Sequence, residues 1–228
     1  AETVFHEFNH TMPGVFDEYT ASGEWANYQC IEGPNLTGAR ILDDIPWRKW
    51  INPLSPLPTP YENAYFNEVG LFEGNISGYF GCYRPTARSC YMGAGGFGEG
   101  FGQNMCPVCL QRFICMLYQY VDVIEKPFPA EQIININGPS TMTFAAEIVK
   151  PNPNTQKYEW ILNGKLIASK VESVEINFDA CDKYELKLVV TDTTENVRYD
   201  EKFKDIYPEP KQTRTWTIEQ DAVTGYNL

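Results

Sequence analysis

Residues 6–19 have the sequence HEFNHTMPGVFDEY, and the first five positions form an HExxH pattern. In a helix, His6 and His10 project from the same face, so both imidazoles can reach a single metal ion. Glu7 is then directed at water bound to that ion, as in zinc hydrolases. The stretch predicts a zinc site with Glu7 as the general base.

A third ligand must come from beyond this helix. Pro13 disfavours continuing the helix, and Gly14 can adopt the positive φ that turns the chain back. Two acidic residues, Asp17 and Glu18, follow this turn. A third protein ligand leaves the fourth zinc position open for water, as hydrolysis requires.

An HExxH pattern also arises by chance in helices whose histidines are ordinary surface or core residues. The chain contains 2 histidines among its 228 residues, and both lie in this motif. Together with the helix stop and the acidic pair, this favours a metal site over a chance match.

The composition narrows the classes of partner. A formal net charge of −12 argues against nucleic acid and against an anionic membrane surface. No apolar run reaches the ~18 residues of a membrane span, and no signal peptide is recognisable. We therefore expect no nucleic-acid partner and no transmembrane segment.

The cysteines indicate an extracytoplasmic protein. Cys106 and Cys109 have CxxC spacing, but no second CxxC accompanies them, and a structural zinc site would need four cysteines from distant loops. We expect disulfides instead, drawn from Cys82, Cys90, Cys106 and Cys109, as is common in secreted hydrolases. The predicted location is secreted or at the cell surface.

The expected fold class is α+β, with two domains. Residues 1–125 are rich in Pro, Gly and aromatic residues, with helices predicted over about 1–12 and 107–121. Composition shifts at 125–129, and residues 126–228 contain short alternating strands. The second region therefore predicts an antiparallel β-sandwich.

Three features within the second region support this interpretation. Asn163-Gly164 between two apolar stretches is typical of a type I′ hairpin turn. Trp160 is expected to be the buried central aromatic residue. Asp182-Lys183-Tyr184 before a strand suits a tyrosine corner.

Six segments carry a resemblance to a known family. They are HEFNHTMPGVFDEY at 6–19, PNLT at 34–37, IPWRKWI at 45–51, VGLFEG at 69–74, GCYRPTARSCYM at 81–92 and MCPVCLQRFI at 105–114. In this order they resemble peptidase family M64, the IgA-peptidase-like zinc metallopeptidases of metzincin type. The resemblance covers roughly residues 2–123, and the tail is similar to the Ig-like or PKD-like modules of secreted bacterial enzymes.

This resemblance implies a zinc metalloendopeptidase that hydrolyses extracellular proteins or peptides through water activated by Glu7. The implied ligands of Zn²⁺ are His6, His10 and Asp17. Asp17 is preferred because Gly-x-x-Asp mirrors the metzincin Gly-x-x-His/Asp step, but one additional residue before the Gly keeps Glu18 as an alternative.

Further residues take roles from the same resemblance. Met92 corresponds to the Met-turn methionine, although an ordinary core methionine would be equally buried. A tyrosine two residues beyond that Met assists some metzincins, but Ala94 occupies the position here, which leaves Tyr91 or Tyr19 as candidates. Arg84 and Arg88 could bind a substrate carboxylate or pair with the surplus acids.

Metzincin-type enzymes place a β-sheet before the active-site helix, whereas this chain begins at the helix. We therefore expect the C-terminal part of a longer enzyme, with a catalytic domain incomplete at its N-terminal side. Val4 and Phe5 should be exposed unless a companion N-terminal fragment or subdomain covers them, and activity can require that missing half.

A different function class remains open. A non-catalytic surface-binding or adhesion protein could carry a structural zinc site and a ligand-binding β-sandwich. The intact Glu7 argues against it, since a structural zinc has no use for a base.

Overall fold

A computed structural model describes residues 2–19, 30–74, 81–93, 104–179 and 183–221. The chain forms two compact units, one of Ala1–Leu117 with Glu195–Glu209 and one of Tyr118–Thr194 with Pro210–Leu228. The fold is α+β. The division differs from the expected boundary near residue 125, because residues 195–209 belong with the first unit.

The secondary-structure elements separate by type. The α-helices of the described residues are α1 (Glu2–Thr11) and α2 (Pro107–Tyr120). The strands are β1 (Phe72–Glu73), β2 (Tyr83–Arg84), β3 (Ile124–Phe128), β4 (Ile133–Asn137), β5 (Ser140–Ile148), β6 (Gln156–Leu162), β7 (Lys165–Ser169), β8 (Ser173–Phe178), β9 (Lys183–Asp192) and β10 (Lys211–Asp221). Both predicted helices are therefore present.

The end of α1 directs the chain back along the helix. The N–H of Met12 still donates to the carbonyl of Phe8 at 2.9 Å, and Gly14 then adopts a φ of 66°. The N–H of Val15 donates to the carbonyl of Asn9 at 3.2 Å. The predicted stop and reversal are confirmed, and they bring residues 15–19 beside the helix.

The first unit is built mainly from loops around a buried core. Trp47 is 1% exposed and its indole N–H donates to the carbonyl of Gly70 at 2.8 Å. Arg48 Nε lies 2.7 Å from Asp200 Oδ2, and the Tyr207 hydroxyl donates to the carbonyl of Pro34. These last two contacts explain why residues 195–209 belong to this unit.

The second unit is a β-sandwich. One sheet has the order β3-β5-β8 and the other has the order β4-β10-β9-β6-β7. The buried rings of Trp160 and Trp216 stack with centroids 5.7 Å apart, and the ring of Phe144 from the opposite sheet lies 5.6 Å from Trp216. Trp160 is 0% exposed, which confirms its predicted central position.

One expectation about this sandwich is wrong: the larger sheet is mixed, not purely antiparallel. β4 pairs in parallel with β10, whereas the other pairings are antiparallel. The chain passes from one sheet in β3 to the other in β4, and Pro129, which has no N–H to donate, lies between them.

The predicted hairpin turn is present between β6 and β7. Asn163 and Gly164 have φ values of 48° and 78°, the left-handed conformation that this turn requires. The ring of Tyr184 in β9 lies 4.9 Å from that of Phe178, while Asp182 of the expected tyrosine corner lies outside the described residues.

The expected cysteine pairing is wrong. Cys82 forms a disulfide with Cys30, and Cys90, Cys106 and Cys109 are buried free thiols. An isolated antiparallel β-bridge between Thr37 and Tyr83 joins the two loops that carry Cys30 and Cys82. The disulfide is typical of an oxidising compartment. No described helix is long and apolar enough to span a membrane.

Candidate metal centre

The two histidines of α1 face one point. His6 Nε2 and His10 Nε2 are 3.2 Å apart, and their side chains are 14% and 30% exposed. This follows from the four-residue spacing, because positions i and i+4 lie on one helical face.

Asp17 completes the group. Its Oδ1 lies 2.8 Å from His6 Nε2 and 3.4 Å from His10 Nε2, and its side chain is 14% exposed. The reversal at Gly14 carries it there. The structure thus brings together the three residues that the sequence proposes as metal ligands.

A backbone carbonyl orients His10. His10 Nδ1 lies 2.8 Å from the carbonyl oxygen of Val15, which can only accept a hydrogen bond. The Nδ1 position therefore carries the proton, and the lone pair of Nε2 points at His6 and Asp17. Metal-bound histidines commonly have their second nitrogen held in this way.

The separations suit a zinc ion. Tetrahedral zinc bound at about 2.0–2.2 Å to nitrogen and oxygen keeps its ligand atoms about 3.3–3.5 Å apart. The three separations here are 2.8, 3.2 and 3.4 Å, close to this range. Two imidazoles and a carboxylate are also the donor types that zinc accepts. The residues present therefore fit the ion that the motif implies.

Glu7 follows His6 directly in α1, and its side chain is not used in packing the fold. Its side chain is exposed, and no hydrogen bond or ion pair joins its carboxylate to another described residue. It lies near Tyr19, whose pKa is raised by burial, by Asp17 and by Glu7. Tyr91 lies on another side, its ring 6.1 Å from that of His6. Both tyrosines proposed from the sequence are therefore close to the centre, whereas Ala94 lies outside the described residues.

Glu18 points away from the histidines. It is 2% exposed and accepts hydrogen bonds from Asn35 Nδ2 at 3.1 Å and Thr86 Oγ1 at 2.7 Å. Burial raises its pKa to about 8. The geometry thus separates the two candidate third ligands in favour of Asp17.

Met92 lies beneath the segment that carries Asp17. It is 0% exposed, and its carbonyl accepts the N–H of Glu18 at 2.9 Å. This backbone hydrogen bond holds the segment that contains Asp17 and Glu18 against residue 92.

The two arginines differ in their surroundings. Arg84 is 4% exposed, and its guanidinium donates to the carbonyls of Thr86, Ala87 and Gly74. Arg88 lies over the rings of Tyr61 and Phe66, at 5.1 and 5.4 Å from their centroids. The guanidinium of Arg84 is thus committed to backbone carbonyls, whereas that of Arg88 is exposed.

The outer face of α1 is apolar and exposed. Val4, Phe5 and Phe8 are 73%, 42% and 45% exposed. The exposure expected for Val4 and Phe5 is confirmed.

The sequence did not predict a second group of side chains that could hold a metal ion. Glu18, Cys90, Cys106 and Cys109 lie together, and all four are buried. The CxxC spacing was the available signal, but Glu18 and Cys90 lie 88 and 16 residues away from Cys106 in sequence.

Comparisons with known proteins do not identify a relative. No protein-family model matches the chain, and no curated protein matches it. Two solved structures share limited similarity at 12% identity. A quinonprotein alcohol dehydrogenase-like protein from Bacteroides thetaiotaomicron has a TM-score of 0.30, with 45% of this chain and 21% of that chain covered. Fibronectin(III)-like modules of Clostridium thermocellum CbhA have a TM-score of 0.27, with 42% and 98% covered. This chain thus spans about a fifth of the first protein, and scores this low support no argument about function.

Proposed function

We propose that this protein is a zinc-dependent metalloendopeptidase that resembles family M64 and hydrolyses peptide bonds of extracellular proteins. The observation that carries the proposal is the convergence of His6, His10 and Asp17, with the exposed carboxylate of Glu7 on the same helix. A purely structural metal site would need the three ligands but not the additional carboxylate.

Each residue has a defined task in this proposal. His6, His10 and Asp17 hold the ion, and the carbonyl of Val15 keeps His10 in the correct tautomer. Bound zinc would act as a Lewis acid and lower the pKa of water to about 7. Glu7 accepts the proton of the attacking water and passes it to the leaving amine. Tyr19, which is hydrogen-bonded to Asp17, helps to orient that ligand.

The second unit is proposed to be an Ig-like or PKD-like accessory module. Its strand order supports this. In an Ig-like fold, one sheet contains strands A, B and E, and the opposite sheet contains strands C, F and G. Here the sheet β3-β5-β8 corresponds to the first, and the sheet β4-β10-β9-β6-β7 corresponds to the second. The Cys30–Cys82 disulfide supports a secreted or cell-surface location for the protein.

The proposal is tested by hydrolysis of fluorescently labelled casein by the zinc-loaded chain. Glu7→Gln should retain zinc and lose at least about 100-fold of the activity, because the general base is removed. Glu62→Gln is the matched control, since Glu62 is an exposed acid of the same unit. It should retain both zinc and activity.

Two results would contradict the proposal. One is full activity in Glu7→Gln, which would remove the base from the mechanism. The other is casein cleavage that continues unchanged after zinc is removed with a chelator, which would remove the ion from the mechanism.

A further inference from the structure

The second buried group is the strongest feature that the proposed peptidase activity does not use. It brings together Glu18, Cys90, Cys106 and Cys109, all between 0% and 3% exposed. Cys106 directly precedes α2 and Cys109 lies in its first turn, whereas Cys90 precedes a short turn over Tyr91–Gly93. Three separate parts of the first unit therefore meet at this point.

The interatomic distances match a tetrahedral thiolate site. Zinc–sulfur bonds of about 2.3 Å place sulfur atoms about 3.8 Å apart, and a carboxylate oxygen lies about 3.5 Å from each sulfur. Cys90 Sγ and Cys109 Sγ are 3.7 Å apart. Glu18 Oε1 lies 3.1 Å from Cys109 Sγ and 3.7 Å from Cys106 Sγ. A disulfide would require a sulfur separation of about 2 Å.

Backbone amides are directed at the sulfur atoms. The N–H of Cys106 donates to Cys90 Sγ and the N–H of Cys109 donates to Cys106 Sγ, each at 3.4 Å. The N–H of Met92 also donates to Cys90. Amide donors of this kind stabilise negative sulfur, and the first turn of α2 adds the positive end of its helix dipole. Cys90 thus receives two amide donors and Cys106 one, an arrangement that favours their thiolates once a cation offsets the cost of burying charge.

The carboxylate of Glu18 is placed as a fourth ligand. Thr86 donates to Oε2 at 2.7 Å, while Oε1 receives Asn35 Nδ2 at 3.1 Å and faces the sulfur atoms. Four acidic groups buried together are costly unless a cation compensates them. A divalent ion at their centre offsets a large part of this cost through its attraction to all four groups.

We propose that Glu18, Cys90, Cys106 and Cys109 form a second, structural site for a thiophilic divalent cation, with zinc as the expected ion. Binding releases the protons of the thiols and of the Glu18 carboxyl to solvent and forms three metal–sulfur bonds and one metal–oxygen bond, without any change of oxidation state. The site has no open position, in contrast to the one at His6 and His10. It does not depend on the proposed peptidase activity.

The site would hold the third ligand of the other centre in place. Glu18 follows Asp17 directly in sequence, so an ion bound to Glu18 anchors the segment that carries Asp17. The same ion would tie the start of α2 to the turn that contains Met92. Its role is therefore to order the region around the candidate active site.

Cobalt substitution of the whole chain tests the proposal. The reduced protein is stripped of metal, loaded with Co²⁺ under anaerobic conditions and observed by absorption spectroscopy. Thiolate ligands give intense sulfur-to-cobalt charge-transfer absorption in the near ultraviolet, which imidazole and carboxylate ligands do not give. The wild-type protein should show this absorption and bind about two metal ions.

Variants assign the two ions separately. Cys109→Ser should lose the charge-transfer absorption and about one metal ion, and Glu18→Gln should weaken that absorption. His6→Ala should lose the other ion but keep the absorption. The matched control is Cys115→Ser, because Cys115 is a buried free cysteine of α2 outside the group. It should keep both ions.

Wild-type measurements keep the test decisive even if a variant fails to fold. Absence of charge-transfer absorption in cobalt-loaded wild type would overturn the proposal. A disulfide among Cys90, Cys106 and Cys109, found by mass spectrometry in protein purified with zinc present, would also overturn it. Casein hydrolysis by Glu7→Gln at the wild-type rate, with the absorption intact, would count against the proposed peptidase alone.

Discussion

The carboxylates of Asp17 and Glu18 belong to two different clusters, although the two residues are neighbours in sequence. Asp17 Oδ1 lies 2.8 Å from His6 Nε2, whereas Glu18 Oε1 lies 3.1 Å from Cys109 Sγ. The segment is not helical, so consecutive side chains can diverge to opposite sides. One short stretch of chain thereby links an accessible site to a buried one.

Replacement of Asp17 should distinguish it from its neighbour. Mutation of a residue that only hydrogen-bonds to a metal ligand typically lowers metal affinity about 10–100-fold. Asp17→Asn should weaken zinc binding at the histidines by more than this, because a direct charged ligand is lost. Glu18→Gln should change that affinity much less, and competition with a chromophoric chelator measures both. Equal losses in the two variants would show that the assignment of Asp17 is wrong.

Gly14 should be sensitive to any side chain that resists a left-handed conformation. Its φ is 66° and an added Cβ would meet no atom within 4 Å, so backbone strain is the dominant cost. Gly14→Ala should lower the free energy of unfolding by about 1–2 kcal/mol and weaken zinc binding, because the turn positions Asp17.

Gly14→Asn serves as the matched comparison, since Asn tolerates this conformation better than Ala. Chemical denaturation should show a smaller loss in the free energy of unfolding for Gly14→Asn than for Gly14→Ala. A larger loss for Asn than for Ala would point to crowding and not to backbone strain.

Ionisation of Tyr118 should lower the free energy of unfolding as the pH becomes alkaline. Its hydroxyl donates to Asp192 Oδ2 at 2.9 Å and accepts from Gln156 Nε2 at 3.0 Å. Burial, opposed by Gln156 and reinforced by Asp192, raises the pKa of Tyr118 from 10.0 to about 12. As pH rises through this interval the unfolded chain loses the proton first, so the folded chain binds more protons and stability falls.

Denaturation of Tyr118→Phe between about pH 9 and 12 checks this expectation, because the variant lacks the titrating group. Its stability should fall less steeply with pH than that of the wild type. Tyr120→Phe is the control, since Tyr120 lies on the same helix and is 64% exposed. A slope in Tyr118→Phe as steep as in the wild type would exclude Tyr118 as the cause.

The disulfide should contribute substantially to stability. Cys30 and Cys82 are separated by 52 residues, and closing a loop of that length stabilises a protein by up to about 4 kcal/mol in the chain-entropy model. The double variant Cys30→Ala/Cys82→Ala should lower the denaturation midpoint accordingly. Addition of a reducing agent should destabilise the wild type but leave the double variant unchanged, and a wild type indifferent to reduction would refute the contribution.

Several elements of the fold follow from local patterns in the chain. The spacing of His6 and His10 predicts a shared helical face, and Asn163-Gly164 predicts the turn between β6 and β7. Both depend on residues close in sequence, whose geometry is set by backbone preferences alone. The buried position of Trp160 follows in the same way from strand alternation.

Contacts between distant segments do not follow from such patterns. The sequence points to Cys82 as a disulfide partner but not to Cys30, and it leaves Asp17 and Glu18 as rivals. It also leaves Arg84 open between a substrate contact and a structural one, which burial against backbone carbonyls resolves. In each case the answer depends on which loops pack together.

Helical periodicity and a turn at Gly14 are thus enough to propose an accessible metal centre from residues 6–17. The buried group of Glu18 with three cysteines becomes visible only in the folded chain, because its members come from segments up to 91 residues apart. The physical reason is that backbone preferences act over a few residues, whereas the burial of side chains depends on how whole segments pack.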